Sequence, residues 1–412
     1  MSTENGADEV TAPAWLNEEF IQDLIRREDD PNISVALEGI DLAIGKGVNF
    51  LSIIYRVKLK CTTEGSSYLK TLIVKCPPHD KMAEEFGKEI ASFKKEIDMY
   101  ENVIPKMFKI WEKRTGQNSF AISPRCYPSS MDDTLILEDL QPLGFRMAEK
   151  SKLCDLEHTL VVLRKMAKFH AMSLATLVED PLSFKHSKES FFSEDNKIFK
   201  EVLTKQIQKK IETIRELSEY EHIAKKLEKS DQIIKLVFEI SKPRDTSLSV
   251  LNHGDCWINN MVFRYSSETG IVEDMRFLDF QLSRYASPTL DLNHFLFSSV
   301  DDDVLKDRDT LLAEYHSTLI KHLQESGCEH TKYSLEDLKR DFQERMLYGW
   351  MVTSLRETIL SDPEAVPTFT EMLDHKEDTC GMSVNPGSSP VYQKSLRFLI
   401  PEFERAGVFE SL

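Results

Sequence analysis

The segment LNHGDCWINNMVF at residues 251–263 places a dense polar cluster in an otherwise apolar stretch and leads directly into a predicted strand. His253, Asp255 and Asn260 lie within eight consecutive residues of this segment. The strand begins a predicted β-hairpin (MVFRY, the turn SSETG, then IVEDMRFLDF), whose returning strand ends near Asp279. Because a hairpin folds back on itself, its two ends lie close together. We therefore expect the side chains of Asn260 and Asp279 to converge on one point.

An amide oxygen and a carboxylate that converge in this way form a candidate site for a divalent cation. Such a set falls short of a full protein cage and suits Mg²⁺, which keeps several waters and takes further ligands from substrate phosphates. Asp255 precedes this pair and would stand free of the metal, where it could accept a proton from an attacking hydroxyl. Taken singly, each residue would also fit an ordinary turn or capping role. Together they indicate phosphoryl transfer.

A positively charged side chain that could contact nucleotide phosphates lies in the N-terminal part of the chain. Lys75 ends the apolar strand LKTLIVK, where a lysine is costly unless it is paired or lies at the rim. Glu96 lies on the next predicted helix, beside the stripe that faces the core. The two residues could form an ion pair that holds the lysine in place, although Lys75 alone would also fit an ordinary strand end.

The hydrophobic periodicity of the first 140 residues changes between that of helices and that of strands. Leu16, Phe20 and Leu24 are spaced by four and predict a short amphipathic helix at 15–27. The same reasoning predicts strands at 48–60 and 69–75, a helix at 83–100, and two short strands near 119–122 and 134–137. This order indicates a small antiparallel sheet that carries one helix.

Beyond Gln141 the pattern is mainly helical and is interrupted by the hairpin. The Lys- and Glu-rich stretch at 185–245 predicts the solvent-facing sides of one or two long helices. We therefore predict an α+β protein with a flexible tail at 1–13, a nucleotide-binding lobe at 14–140 and a larger, mainly helical catalytic and acceptor-binding lobe at 141–412.

The composition excludes several classes of function. The chain has 412 residues, with 52 Lys and Arg against 69 Asp and Glu, and its net charge of −17 disfavours binding to nucleic acid or to an anionic membrane surface. It shows no basic and apolar leader and no apolar run of the ~18 residues that a membrane span needs. The seven cysteines include no closely spaced pair, which favours reduced thiols in the cytoplasm. Nothing in the sequence implies an obligate protein partner.

With these motifs in place, the chain resembles the kinase-like phosphotransferases of small molecules, the superfamily of aminoglycoside and choline kinases. Within it, the chain is similar to the insect ecdysteroid kinase-like (CHK kinase-like) family. The resemblance extends from about residue 13 to the C-terminus, and HGDCWINN followed by FLDFQ is its most specific part. The other matching segments are LILEDL at 135–140, FKKEIDMYENVIP at 93–105, KFHA at 168–171, PAWLNEEF, GKGVNFLSIIYRV and SPTLDL.

The resemblance implies a two-lobed protein-kinase-like fold, ATP as co-substrate and Mg²⁺ as cofactor. It makes Asp255 the catalytic base and Asn260 and Asp279 the metal ligands, while His253 holds the catalytic loop in shape. Asp291 in SPTLDL would brace that loop. The residues expected to contact ATP, directly or by fixing another contact, are Lys75, Glu96, Gly45, Gly47, Asn49, Ser52, Glu138 and Leu140.

The resemblance gives a different role to each of three groups of these residues. Lys75 would touch the α- and β-phosphates, with Glu96 fixing it through a salt bridge. The segment 138–140 would be the hinge that reads the adenine edge through its backbone. GKGVNFLS lacks the third glycine of the usual phosphate-covering loop, and Asn49 and Ser52 are candidate substitutes.

The function expected from these residues is transfer of the γ-phosphate of ATP to a hydroxyl of an apolar acceptor, an ecdysteroid or a similar steroid or xenobiotic alcohol. The alternatives are a choline- or ethanolamine-type kinase and a catalytically silent, ligand-binding pseudokinase. A protein kinase is disfavoured because no Ala-Pro-Glu segment follows the DFQ motif. We expect His170 to be a packing histidine, and the stripe in RMLYGWMVTSL to be core or, alternatively, one wall of the acceptor pocket.

Overall fold

The computed structural model describes most of the chain in separate ranges. These ranges are 12–43, 52–77, 92–118, 121–149, 151–184, 196–244, 248–328, 333–360, 389–410 and residue 412. Most of the predicted tail at 1–13, the first part of the strand at 48–60, the first half of the helix at 83–100 and part of the charged stretch at 185–245 lie outside the described residues.

The N-terminal part of the chain builds a five-stranded antiparallel sheet with the strand order β1-β2-β3-β5-β4. Its strands are β1 Ser34–Leu42, β2 Ile53–Thr63, β3 Ser66–Cys76, β4 Cys126–Tyr127 and β5 Leu135–Glu138. The predicted strands at 69–75 and 134–137 are confirmed as β3 and β5. β1 was not predicted, because a bulge at Leu37 and Gly39 breaks the two-residue alternation by which a strand is recognised.

The predicted helix at 15–27 is confirmed as α1, Glu18–Glu28. The side chain of Asn17 caps it by accepting a hydrogen bond from the N–H of Phe20. Its buried face packs in one hydrophobic cluster with the sheet, and residues of that cluster come from β2, β3 and β5. The helix therefore covers one face of the sheet.

Residues 92–100, the described part of the helix predicted at 83–100, are helical, and the helical segment continues beyond the predicted end in three consecutive pieces. They are α2 Ser92–Asp98, a π-helical turn Met99–Val103 and α3 Ile104–Thr115, which ends at Gly116. Met99, Tyr100, Met107 and Trp111 belong to the larger of the two main hydrophobic cores, which extends to the C-terminus. This helical segment thus connects the sheet to the helical part of the chain.

The strand predicted near 119–122 is wrong where it can be described. Ser119 and Phe120 lie outside the described residues, and Ala121 and Ile122 do not form a strand, which instead lies at β4. The reason is a competing partner: the carbonyl of Ile122 accepts a hydrogen bond from the N–H of Phe277, 2.8 Å away, in the C-terminal hairpin.

The rest of the chain is mainly helical, as predicted. Its described helices are α4 Leu156–Glu179, α5 Lys197–Arg215, α6 Glu221–Leu227, α7 Ser230–Ser241, α8 Thr289–Ser299, α9 Asp302–Leu305, α10 Arg308–Glu325, α11 Leu335–Glu344, α12 Met346–Leu360 and α13 Pro390–Arg405. The described part of the charged stretch forms three helices, α5 to α7, and not the predicted one or two, because the backbone leaves the helical conformation at Leu217 and at Lys229. None of the helices in the described ranges combines the length and the apolar character that a membrane crossing requires.

Two small antiparallel sheets carry the polar motifs. The predicted hairpin is confirmed as β8 Met261–Tyr265 and β9 Val272–Phe277, and β6 Phe145–Met147 adds a third strand to it. β7 Val250–Asn252 pairs with β10 Arg284–Ala286. The first pair of strands supports Asn260 and Asp279, and the second leads into the loop that contains Asp255. The chain therefore has an α+β fold in which an antiparallel sheet precedes a larger helical part.

The close packing of α8 against α12 depends on a residue without a side chain. A Cβ atom at Gly349 would lie 2.5 Å from Cδ2 of Phe297 and 2.7 Å from Oδ1 of Asn293. Both partners are buried, so neither can move aside without disturbing the core.

We predict that Gly349→Ala lowers the free energy of unfolding by ~1–3 kcal/mol, as overpacking does in other cores. Urea denaturation followed by circular dichroism would measure the change. Gly39→Ala is the matched control, because a Cβ atom there has no neighbour within 4 Å and the same substitution should not lower the denaturation midpoint. Equal effects in the two variants would contradict the packing argument.

Candidate active site

Lys75 is a buried cation held between two carboxylates. Its Nζ atom donates to Oε2 of Glu96 at 2.7 Å and lies 3.2 Å from Oδ2 of Asp279. Lys75 is 6% exposed and Glu96 is 1% exposed, so both charges lie in the interior, where an unpaired charge would be strongly destabilising. The ion pair between Lys75 and Glu96, expected from the sequence, is present.

The elements around Lys75 explain how the three residues meet. Lys75 lies near the end of β3, where it pairs with Ile54 of β2 and Leu135 of β5. Glu96 projects from α2, and Asp279 follows β9. Burial alone would lower the pKa of Lys75, but the negative charges of Asp279 and Glu96 outweigh burial and raise it above its usual value. The lysine is therefore a permanent cation at the junction of the sheet and the hairpin.

Asp255 and Asn260 form a second part of the site. The amide nitrogen of Asn260 donates to Oδ2 of Asp255 at 2.7 Å and to its backbone carbonyl at 3.0 Å. A single 3₁₀ turn, Ile258–Asn260, brings the two residues into this contact. Because both hydrogen bonds use the nitrogen, the carbonyl oxygen of the Asn260 amide is the atom that could ligate a metal.

Asp279 lies where the two ends of the hairpin meet, as predicted. The N–H of Leu278 donates to the carbonyl of Asn260 at 2.8 Å. Asp279 has φ +63°, a left-handed conformation that residues other than glycine seldom adopt. Oδ2 faces Lys75, whereas Oδ1 is buried and has no hydrogen-bond partner among the described residues.

The Oδ1 atom of Asp279 is the observation that fits a metal. A buried carboxylate oxygen without a partner is destabilising unless something positive occupies the space beside it. With the carbonyl oxygen of Asn260, it would supply two hard oxygen ligands of the kind that Mg²⁺ prefers. In the described ranges no three His, Cys, Asp or Glu side chains group as a metal cage, so further ligands would have to come from elsewhere.

The loop before Asp255 is held by one buried carboxylate, that of Asp291. Its Oδ2 accepts from the N–H of His253 at 2.7 Å, and its Oδ1 accepts from the N–H of Gly254 at 2.9 Å. Gly254 has φ +87°, and a Cβ atom there would lie 2.0 Å from the carbonyl oxygen of Leu282. The loop geometry therefore requires both glycine and Asp291.

His253 is also a structural part of this loop. It is fully buried, its Nε2 lies 2.9 Å from the carbonyl of Leu278, and its ring packs against Phe280. Burial lowers the pKa of its imidazole, so the ring is neutral and donates from Nε2 to that carbonyl. This geometry agrees with the expected role of shaping the loop.

Asp291 is in turn held by a buried histidine and tyrosine. His170 lies with Nε2 3.2 Å from Oδ2 of Asp291 and Nδ1 2.7 Å from the hydroxyl of Tyr315. Burial would raise the pKa of Asp291, but the hydrogen bond and charge interaction with His170 and the loop N–H groups lower it. His170 is the partnered packing histidine that the sequence suggested.

The electrostatic surroundings of Asp255 suit a group that exchanges a proton. Burial, and to a smaller extent the negative charge of Asp279, raises the pKa of Asp255 to about 7. The hydrogen bond from Asn260 acts in the opposite direction but does not cancel this rise. A base with a pKa near the working pH combines the correct protonation state with sufficient basicity. Neutralisation of Asp279 by a cation would make Asp255 more acidic.

The predicted phosphate-covering loop, residues 45–52, is described only at Ser52. Gly45, Gly47 and Asn49 lie outside the described residues, and their contacts with ATP stay predictions. Ser52 is 6% exposed, and its buried hydroxyl has no hydrogen-bond partner within the described ranges.

The predicted hinge is tied into the surrounding chain. The N–H of Glu138 donates to the carbonyl of Arg125 at 2.8 Å. The carbonyl of Leu140 accepts from the N–H of Phe145 at 3.2 Å. Asp139, which the sequence did not single out, fixes the segment through an ion pair with Arg56 at 2.8 Å. Adenine recognition by this segment stays a prediction, and these two backbone groups are already engaged.

Three further residues lie near Asp255. His294 and Arg284 were not identified from the sequence, whereas Tyr348 belongs to the RMLYGWMVTSL stripe that was expected to be core or one wall of the acceptor pocket. Nε2 of His294 lies 3.6 Å from Oδ1 of Asp255, and Nδ1 of the same ring lies 3.2 Å from the hydroxyl of Tyr348. The guanidinium of Arg284 lies 5.2 Å from the centre of the Tyr348 ring. The one available signal was His294 in an apolar helix, three residues after Asp291.

Comparison with known proteins gives a family match. The model of the ecdysteroid kinase-like family matches residues 46–328, which include every described residue of the candidate site except Tyr348. Among solved structures, the chain is similar to an ethanolamine kinase from Plasmodium vivax, with 12% sequence identity and a TM-score of 0.40 over 94% of this chain and 88% of that chain. None of the curated proteins compared with the chain matches it.

We predict that Asp291→Ala destabilises the protein by ~2–4 kcal/mol, because it leaves two buried backbone N–H groups without an acceptor. Asp291→Asn keeps one acceptor oxygen and should lie between this variant and the wild type. Chemical denaturation would measure both changes, with Asp303→Ala as a control at an exposed carboxylate. An Asp291→Ala variant as stable as the control would show that the loop does not depend on this carboxylate.

Proposed function

Because this chain belongs to the ecdysteroid kinase-like family and is thus a small-molecule phosphotransferase, we propose that it transfers the γ-phosphate of ATP to a hydroxyl of an apolar acceptor. The acceptor would be an ecdysteroid or a similar steroid or xenobiotic alcohol. The observation that carries the proposal is the convergence of Asp255, Asn260 and Asp279 beside the Lys75 ion pair. Phosphoryl transfer requires little covalent chemistry from the protein and depends on position and charge.

Each residue has a role that follows from its contacts. Lys75, a permanent cation, would offset charge on the α- and β-phosphates, and Glu96 would hold it there. Asp255 would accept the proton of the acceptor hydroxyl and orient its oxygen toward phosphorus. When bound, Mg²⁺ would neutralise the charge that develops on the phosphate oxygens. Asn260 and Asp279 are the residues that would hold it.

The nucleotide would lie where the two predicted lobes meet. Lys75 and Glu96 belong to 14–140, whereas Asp255 and Asp279 belong to 141–412, and the contact between Lys75 and Asp279 joins the two groups. We propose that this boundary separates a nucleotide-binding lobe from a catalytic and acceptor-binding lobe. Binding at such a junction is common for small ligands.

The charges near the base favour a neutral acceptor over choline or ethanolamine. A site for a quaternary ammonium group needs free aromatic faces and carboxylates. Here the buried cation Arg284 already lies against the ring of Tyr348. Lys95 lies near enough to Arg284 for the two charges to interact: burial, and then the charge of Arg284, lower its pKa to about 8. A cationic acceptor would meet like charges on this side of Asp255.

We also propose a cytoplasmic location. Six of the seven cysteines lie in the described ranges, and all six are free thiols. Five of them are buried in the fold, as expected of proteins from reducing compartments.

The proposal is tested by incubation of the purified protein with Mg²⁺, ATP and a panel of ecdysteroids, sterols, phenolic compounds, choline and ethanolamine, with mass spectrometry of the products. We predict a phosphate ester on a steroid or related alcohol. Asp255→Asn should lower kcat at least ~100-fold while the fold stays intact, because the new amide oxygen can still accept from Asn260. Phosphorylation of choline alone would contradict the acceptor, and nucleotide binding without any turnover would favour a pseudokinase.

A second prediction concerns the metal. We expect ATP to raise the unfolding temperature more with Mg²⁺ than with EDTA, since a ligand at 100 times its Kd stabilises a protein by about 2.7 kcal/mol. Asp279→Asn should lose most of this Mg²⁺-dependent increment, and Asp255→Asn should keep it. Differential scanning fluorimetry measures both without any acceptor. A full Mg²⁺-dependent increment in Asp279→Asn would exclude that carboxylate as a ligand.

A further inference from the structure

His294 has one ring nitrogen that is partnered and one that is not. The ring is 4% exposed, and burial, the largest influence, lowers its pKa to about 3, so the imidazole is neutral. A neutral imidazole has one N–H donor and one acceptor nitrogen. Nδ1 lies 3.2 Å from the hydroxyl of Tyr348. Nε2 is buried and makes no hydrogen bond of ordinary length and angle among the described residues, although the backbone of Gly254 lies near enough to interact with the ring.

The contacts of Tyr348 indicate which nitrogen of His294 carries the proton, because its hydroxyl accepts a hydrogen bond from Arg284, which can only donate, and so keeps its own proton for Nδ1. A tyrosine hydroxyl that donates to Nδ1 leaves the proton of His294 on Nε2. The Nε2–H group then faces Oδ1 of Asp255 at 3.6 Å, slightly beyond hydrogen-bond distance. The other carboxylate oxygen, Oδ2, is already held by Asn260.

The same order of groups occurs in closed form elsewhere in the described ranges, and the example that adjoins the candidate site runs through His170. Tyr315, His170 and Asp291 make a chain from hydroxyl to imidazole to carboxylate, at 2.7 Å and 3.2 Å. That chain braces the catalytic loop. Tyr348, His294 and Asp255 repeat the order of groups, but the last link is open.

We propose that His294 is a positioning residue for Asp255: its Nε2–H hydrogen-bonds Oδ1 of Asp255 in the working complex and holds the carboxylate toward the acceptor hydroxyl. The inference deepens the proposed function and rests on Asp255 as the base. Nε2 is sealed from solvent, so an acceptor hydroxyl cannot reach it from outside, and Oδ1 of Asp255 is the carboxylate oxygen next to it. A shift of well under 1 Å would bring the two atoms to hydrogen-bond distance.

Substitutions at His294 separate positioning from packing. His294→Phe keeps an aromatic ring but removes the donor, and His294→Gln keeps an N–H donor close to the place of Nε2. We expect His294→Phe to lower kcat ~10–100-fold, the usual scale for a residue that orients a functional group, with the KM for ATP unchanged. His294→Gln should recover most of kcat. Equal losses in two folded variants would overturn the proposal.

His158→Phe is the matched control. His158 also contacts a tyrosine hydroxyl and an aspartate, at 3.0 Å from Tyr265 and 2.7 Å from Asp155, but neither partner belongs to the candidate site. This variant should keep the wild-type kcat. A fall in kcat equal to that of His294→Phe would overturn the proposal, because it would show that the loss of any hydrogen-bonded histidine lowers kcat.

A second readout does not require an acceptor. In protein labelled with ¹⁵N-histidine, long-range ¹H–¹⁵N spectra report the tautomer of each ring, and His294→Gln identifies the signal of His294. We expect the Nε2–H tautomer. The Nδ1–H tautomer would refute the inference, because Nε2 would then have no proton to donate to Asp255. Absence of turnover in the wild type would contradict the proposed function, and these spectra would still decide the role of His294.

Discussion

The contact of Lys75 with Glu96 and Asp279 is the interaction on which the site depends. A lysine at 6% exposure is tolerated only because two carboxylates surround it, one from the helix after the sheet and one from the hairpin. Removal of either carboxylate would leave a buried charge less well compensated. The two contacts of Lys75 thus fix the sheet relative to the hairpin, and they also fix the distance between Lys75 and Asp255.

The sequence predicts best what depends on local pairing. The hairpin, its turn and the approach of its two ends follow from two alternating strands joined by a polar turn, and all three are present. The convergence of the Asn260 and Asp279 side chains on a metal stays a prediction. Lys75 and Glu96 were recognisable because charged residues beside apolar stripes need partners. The roles of these residues in catalysis stay predictions, since geometry establishes contacts and not activity.

What the sequence does not predict depends on contacts between distant segments. β1 contains a bulge, and Ile122 bonds to the hairpin and not to a sheet strand. His294 and Tyr348 meet only because α8 packs closely against α12 at Gly349, which no local pattern indicates. Composition and hydrophobic periodicity predict each helix, but they do not predict which faces of two helices pack together.

The tyrosine–histidine–aspartate chains through His170 and His294 show how a buried polar network divides between stability and function. The chain through His170 is closed, so it contributes rigidity to the loop. The chain through His294 leaves a donor unsatisfied, and Asp279 keeps a left-handed backbone and an oxygen without a partner. Both features cost stability. His294 and Asp279 belong to one cluster of polar side chains, in which the carboxyl groups of Glu96, Asp255 and Asp279 lie near the cation of Lys75. The phosphates of a nucleotide would be repelled by the carboxylate of Asp279 unless a cation entered with them. The proposed site would therefore favour nucleotide and metal together over either alone, and Oδ1 of Asp279 is the unsatisfied atom that the metal would complete.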